Sequence, residues 1–465
     1  MNELLLAQKK AFKAKSFPSN SERRVHLDKL LEAILKRKED FVKALDQDFG
    51  GRSRIESLLT DIYMVIAAIK HSKAQLENWS KPRKRDVPIV LGQGKAWVMP
   101  QPKGVIGIVA PWNFPLNLSL SPLSAALAAG NRVMIKPSEH TPATSELLRQ
   151  VIAETFSPDH VTVITGGPDV AAKFVSMPFD HLLYTGSTQI GKLVMKAAAE
   201  NLTPVTLELG GKSPALVCPD ADLNEAACDI AFGKTLNAGQ ICIAPDYAFV
   251  PRAKMTAFVE AMQKAVNSYY PEGSQGTTDY TSVVNDRQHQ RLTDYIEEAK
   301  TKGVQVVPLS TAGSGAPDVG KKMSPVAIVD PPEDIKAMQE EIFGPILLIK
   351  PYDQLDDAIN YINDHPRPLA LYLFAKSRGL IDKVLQRTIS GGVSINDTIM
   401  HNAVEDLPFG GVGASGIGAY HGREGFDTFS QLKPVFERMA PRTDRMLRPP
   451  FKQMHEFIMG ALIRS

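Results

Sequence analysis

From residue 104 onward the chain alternates short apolar segments, at 105–110, 132–136, 161–164, 181–184 and 205–209, with helix-length stretches. Strands that brief and that apolar, each followed by a helix, predict a parallel sheet covered on both faces. Sheets of this kind hold ligands beyond the carboxyl ends of their strands. The turns after Ala110, Lys136, Ile164, Tyr184 and Leu209 are therefore the candidate site loops. A second rhythm follows, with strands expected at 215–217, 247–250, 304–308, 326–329, 346–350 and 393–396 and helices at 223–236, 256–268, 288–301 and 355–363. The expected fold class is α/β, with two doubly wound parallel-sheet domains.

The flanking segments differ in kind. Ser19-x-x-Glu22 reads as a capping box, after which Leu27, Leu30, Leu31, Ile34 and Leu35 recur at helical spacing. A second helix carries Ile55, Leu58, Leu59, Ile62, Ile66, Ile69 and Leu76 and must stop before Pro82. Lys81, Arg83, Lys84 and Arg85 have no interleaved aromatics, so they read as a solvated loop rather than a nucleic-acid patch. Residues 87–91 and 95–99 flank Gly92-Gln93-Gly94 as a projecting hairpin suited to pairing with another chain. Residues 311–320, with Gly313, Gly315 and Pro317, read as a loop. In the tail, Arg438, Arg442, Arg445 and Arg448 precede Pro449-Pro450, and Phe451, Met454, Phe457, Ile458 and Leu462 share one helical face. That face is expected to dock on protein ahead of a membrane surface.

Bulk properties narrow the partners. A net charge of +2 over 465 residues gives no general pull toward nucleic acid or anionic lipid. No run of apolar residues is long enough to span a bilayer. Residues 1–17 place their lysines after the apolar run, which is not the order of an export signal, and read as an amphipathic surface helix. Cys218, Cys228 and Cys242 are too few for a disulfide scaffold and lack metal-ligand spacing, so no metal is expected and the setting reads as the reducing cytoplasm.

The chemistry concentrates at 206–245. Glu208 lies between Leu207 and Leu209 on a strand that should be buried, just before Gly210-Gly211. Glutamate is rare in such strands, so this one has a reason to be there. Cys242 follows Gly239-Gln240 and precedes Pro245. A lone cysteine is more often inert packing than nucleophile, but a thiol and an acid brought to one rim could form a nucleophile with its base. Asn113 sits on the stiff turn Pro111-Trp112-Asn113-Phe114-Pro115, where its amide could meet an oxyanion. Residues 185–191 join a strand to a helix whose amino end suits a phosphate, without the G-x-G-x-x-G fingerprint.

Taken together, these segments resemble the aldehyde dehydrogenase superfamily. Pro-Trp-Asn-Phe-Pro at 111–115, Lys-Pro-Ser-Glu at 136–139, Thr-Gly-Ser-Thr at 185–188 and Leu-Glu-Leu-Gly-Gly-Lys-Ser-Pro at 207–214 are similar to its motifs. So are Gly-Gln-Ile-Cys at 239–242, Glu-Glu-Ile-Phe-Gly-Pro at 340–345 and Pro-Phe-Gly-Gly-Val-Gly at 408–413. The compact N-terminus and Asn117-Leu118 are similar to the dimeric class 3 branch. Within it, residues 201–206, 244–247 and 420–426 look most like coniferyl-aldehyde dehydrogenases.

The resemblance implies a division into an NAD-binding domain (1–82 and 104–211), a catalytic domain (212–395), oligomerisation and bridging elements (83–103 and 396–437) and a tail (438–465). It implies that Cys242 attacks an aldehyde, that Asn113 and the Cys242 amide hold the oxyanion, and that Glu208 activates water against the thioester. It further implies that Glu341 holds the nicotinamide ribose with Phe343 beside it, and that Lys136 and Glu139 bind the adenosine ribose. Gly186 and Ser187 would lie near the pyrophosphate, and Trp112 would line the pocket. Glu139 favours NAD, since a carboxylate repels a 2′-phosphate, while Lys136 leaves NADP open. A homodimer and an aromatic, cinnamyl or medium-chain aldehyde are expected. The rivals are a CoA-acylating aldehyde dehydrogenase, a nicotinamide-independent thiol hydrolase or acyltransferase, and an idle protein of the same fold.

Overall fold

The computed structural model describes residues 1–88, 93–310, 320–440 and 448–464. Among these the strands form three sheets. The six-stranded sheet runs in the order Gly416–Ile417, Val205–Leu209, His181–Gly186, Val105–Val109, Arg132–Lys136 and Val161–Val163. Its strands are parallel except the short edge strand, in which Gly416 lies antiparallel to Glu208. Strand order proceeds outward in both directions from Val105–Val109, so the crevice beside it is a topological switch point. Every residue of that strand is buried, because helices cover both faces.

Gly210 and Gly211 carry the chain directly from Val205–Leu209 to Ser213–Val217, which lies in a seven-stranded sheet. Here the order is Gln305–Pro308, Val326–Val329, Ile346–Tyr352, Pro245–Pro251, Ser213–Val217, Ala370–Phe374 and Gly392–Ile395. Only the pairing of Gln305–Pro308 is antiparallel. Both parallel bodies therefore end in one antiparallel edge strand, a feature the periodicity did not carry. Ala370–Phe374, fully buried, was not foreseen either.

The N-terminal helices support the first sheet. Ser19 and Glu22 form the expected capping box of helix Asn20–Phe49, which ends on Gly50 at φ 66°. The second helical stretch is not uniform: Arg54–Glu56 runs into a π-helical turn, Ser57–Tyr63, before Met64–Trp79. No helix among the described residues is long and apolar enough to cross a membrane.

The third sheet corrects the sequence reading. Arg83–Arg85 is not a loop but a strand, paired antiparallel with Gly94–Pro102. The expected strand at 87–91 has no strand at 87–88, and its remainder, with Gly92, lies outside the described residues. Gly94–Pro102 also pairs over its whole length with Ser430–Arg438. That strand was missed because Lys433, Glu437 and Arg438 give it no apolar alternation; only long-range pairing makes it a strand. The loop expected at 311–320 lies almost wholly outside the described residues, as do Arg442 and Arg445. The tail forms helix Gln453–Arg464, with Phe451, Met454 and Phe457 exposed and Ile458 half-buried.

Candidate active site

The turn that carries Cys242 is built by backbone constraint. Helix Leu223–Thr235 gives way to Leu236–Gly239, where Asn237, Ala238 and Gly239 take φ values of 50°, 52° and 71°. Left-handed backbone at a non-glycine residue costs about 1–3 kcal/mol and persists only where its surroundings enforce it. At Gly239 a Cβ would come within 2.3 Å of the Gly344 carbonyl oxygen, so no other residue fits. The chain then enters Pro245–Pro251 in the centre of the second sheet, leaving Cys242 at the strand's amino end.

Cys242 lines an apolar pocket of about 160 Å³ together with Phe114, Phe232, Phe409 and Tyr420. Burial, with Glu341 and Glu208 alongside, pushes its thiol up to about 12, while the Cys242 and Ile243 backbone amides act in the opposite sense. Those amides therefore face the sulfur, where an oxyanion on an adduct would develop. In this form the group is a thiol at neutral pH and needs a proton acceptor or a nearby positive charge to react.

Asn113 is buried on the turn after Val105–Val109. Its Nδ2 donates to the Gln240 carbonyl at 3.1 Å, and its own carbonyl accepts from Asn237 Nδ2 at 3.2 Å. One amide hydrogen thus fixes the group against the turn that leads to Cys242, and Nδ2 carries a second hydrogen besides. Glu208 is 2% exposed, and neither carboxyl oxygen has a partner. With nothing to stabilise a charge, burial holds its pKa well above the usual carboxylate range. Glu341 is pushed to about 8 by burial and by Asp246, and its Oε1 is also unpartnered. A Cβ on Gly210 would fall 2.0 Å from Glu341 Oε2, so the glycine pair after Glu208 makes room for this second acid.

The cofactor residues expected from the sequence fall into three places. Trp112 and Phe343 meet edge-on, ring centroids 5.3 Å apart, beside Glu341. Lys136 Nζ lies 3.4 Å from Glu139 Oε2 at the mouth of a separate cleft lined by Ser138, Gly166 and Gly167. Gly186 ends a strand and Ser187 caps helix Thr188–Ala199, its hydroxyl accepting from Ile190 N. Trp112, Lys136, Glu139, Gly186 and Ser187 lie at the carboxyl ends of the parallel strands around the switch point, where sheets of this kind hold ligands, whereas Glu341 and Phe343 precede strand Ile346–Tyr352 of the second sheet. Glu341 Oε1 and Thr185 Oγ1 are buried polar atoms with no hydrogen-bond partner.

Other residues here escaped sequence reasoning. Lys234, fully buried, is brought down to about 8 by burial despite Asp246 and Glu341 nearby. Tyr372 donates its hydroxyl to the Ile243 carbonyl, next to Cys242. Neither stands in a motif; Lys234 in an apolar helix just before Gly239-Gln240 was the available signal.

Fold and site define a dinucleotide-dependent oxidoreductase with a thiol and a carboxylic acid at the junction of its two parallel sheets. The chain belongs to the aldehyde dehydrogenase family, whose sequence profile matches residues 2–435. It is 46% identical to a probable coniferyl aldehyde dehydrogenase of Caulobacter vibrioides, over 99% of this chain and 96% of that protein. The substrate-bound structure of Staphylococcus aureus AldH matches with a TM-score of 0.94 at 37% identity, covering 99% of both chains. An aldehyde dehydrogenase of Mycobacterium tuberculosis complexed with NAD+ matches with a TM-score of 0.83 at 29% identity, covering 94% of this chain and 89% of that one. The activity is NAD(P)-dependent aldehyde oxidation.

Proposed function

We propose that Cys242 is the nucleophile, Glu208 the base and Asn113 an oxyanion donor, and that the substrate is an aryl or cinnamyl aldehyde of the coniferyl type. The observation that carries this reading is that Cys242 lines a pocket of mostly aromatic and aliphatic residues, with no Lys, Arg, Asp or Glu among its lining residues, while Asn113 is bonded to Gln240 on the same turn and Glu208 lies close enough to act on the thiol. Cys242, once its proton has passed to solvent, bonds as the thiolate to the aldehyde carbon, and its own N–H and the spare N–H of Asn113 receive the oxyanion. NAD(P), when bound, supplies the acceptor for the hydride that leaves this carbon. Glu208, in its ionised form, then takes a proton from the water that attacks the thioester and passes it to the departing sulfur, releasing the acid and restoring the thiol. Glu341, Phe343 and Trp112 would hold the nicotinamide end, Lys136 and Glu139 the adenosine ribose, and Gly186 and Ser187 the pyrophosphate. Glu139 supports NAD before NADP. A buried acid at position 208 also supports hydrolysis over transfer to CoA, which needs no such base.

The name of the Caulobacter vibrioides relative and the ring-lined pocket support the aryl substrate; a medium-chain aliphatic aldehyde is the second reading, since an apolar wall accepts it too. Comparing kcat/KM for coniferyl aldehyde, cinnamaldehyde, nonanal and succinic semialdehyde, with NAD and with NADP, separates them. The aryl aldehydes should lead, and the semialdehyde should fall about 100-fold or more below them, because its carboxylate finds no counter-charge. A semialdehyde that proves the best substrate would remove the apolar-pocket reading.

We also propose the domain division drawn from the sequence, with residues 83–103 and 396–437 joining two copies. Ser430–Arg438 is the edge of its sheet and mostly exposed, and an edge strand is a template on which a second chain can pair. Light scattering on the eluting protein should give a dimer mass; a monomer at micromolar concentration rejects the proposal.

A further inference from the structure

Arg52, just before the second helical stretch, and Glu56 and Asp61 within it are buried, far in sequence from the residues described above. Arg52 and Asp61 pair at 2.8 Å with both side chains wholly inaccessible. The guanidinium lies 4.5 Å from the Phe49 ring and 5.3 Å from that of Phe114. Arg52 Nη1 donates to the Asn113 carbonyl at 2.9 Å. Asp61 Oδ1 accepts from the backbone amides of Leu116 and Asn117, each at 3.0 Å. The ion pair therefore grips the oxyanion turn on both sides of Phe114. Glu56 reaches the other turn: its Oε2 accepts from Asn237 N at 3.2 Å and from the Thr281 hydroxyl. Asn237 begins the left-handed run that leads to Cys242.

Packing alone does not account for these charges. A buried ion pair repays its desolvation poorly, and apolar side chains of similar volume usually fill such a space as well or better. What the pair supplies is direction, since each bond fixes one backbone group at a set distance. The local backbone adds a second sign. Asp61 lies in the π-helical turn Ser57–Tyr63, and π-turns interrupt helices mostly at functional sites. That turn also contributes Leu59, Thr60 and Tyr63 to the pocket wall.

We infer that Arg52, Asp61 and Glu56 are positioning residues that clamp the Asn113 turn and the Cys242 turn to one rigid segment and so set the spacing of the oxyanion site. The inference rests on the roles proposed for Asn113 and Cys242. Its effect should fall on acylation, where a displacement of about 1 Å costs about 100-fold, and not on cofactor binding.

The test is pre-steady-state NADH formation by Asp61→Asn, Arg52→Lys and Asn113→Ala, with NAD affinity and Tm measured beside it. Asp61→Asn should slow the burst about 10- to 100-fold, with Arg52→Lys intermediate and NAD affinity within about twofold of wild type. In an Asn113→Ala background, Asp61→Asn should cost almost nothing more, because the pair acts through that turn. Multiplicative losses in the double variant, or a burst within twofold of wild type in either single variant, overturn the inference. Should Asp61→Asn not fold, Arg52→Lys, which keeps the charge, decides by the same readings. Aldehyde oxidation by Cys242→Ala would instead place the failure in the underlying reading of the site.

Discussion

Cys242→Ala is expected to abolish aldehyde oxidation, by about 10⁴-fold or more, while NAD still binds. Removing a covalent nucleophile deletes the intermediate itself, and what remains is the weak help of binding and oxyanion donors. The residue sits on a strained turn of Asn237, Ala238 and Gly239, and alanine at position 242 adds no new clash there. The fold should therefore survive, and isothermal titration with NAD would show near wild-type affinity. Turnover of any aldehyde close to the wild-type rate removes Cys242 from its role. Loss of NAD affinity together with activity would mean that the turn itself had moved.

Glu208→Gln should separate the two halves of the reaction. The first NADH per site should appear at close to the normal rate, and the steady state should slow by about 100- to 1,000-fold as the thioester accumulates. Loss of the first turnover would instead make Glu208 the activator of the thiol. The same variant carries a stability signature. Burial raises the folded-state pKa of Glu208 well above its unfolded value, so the fold prefers the protonated acid. The stability it contributes is complete below the unfolded pKa, about 4.3, and is lost as pH rises toward the folded value. Glutamine cannot ionise, so the variant should melt higher than wild type near about pH 8 and match it near about pH 4. A lower Tm at alkaline pH would mean that Glu208 is ionised and paired in the fold.

What the sequence made legible follows from how local each signal is. The strands Arg132–Lys136, Val205–Leu209 and Val326–Val329 match the reading residue for residue, because an apolar run between turn signals is a local property. Cys242, Glu208 and Asn113 stood out because each has glycine or proline neighbours that restrict the backbone, and the structure brings all three to one junction. Ser430–Arg438 was illegible because its partner lies hundreds of residues away. Arg52 and Glu56 were illegible for the same reason: their bonds to Asn113 and Asn237 span 61 and 181 positions. The basic cluster at 81–85 misled because charge was read as solvent exposure alone, whereas Arg83–Arg85 pairs with Ala96, Trp97 and Val98.

One pairing bears on the order in which the molecule is made. The strand that carries Glu208 is closed on its outer side by Gly416–Ile417. Until the ribosome has extended the chain past that point, the strand bearing the acid ends in an open edge. The thiol at position 242 is by then long synthesised. The catalytic junction is thus mid-chain in sequence but among the last parts to close in time. A prematurely terminated chain would carry the motifs of the enzyme without the enclosure that lets them work.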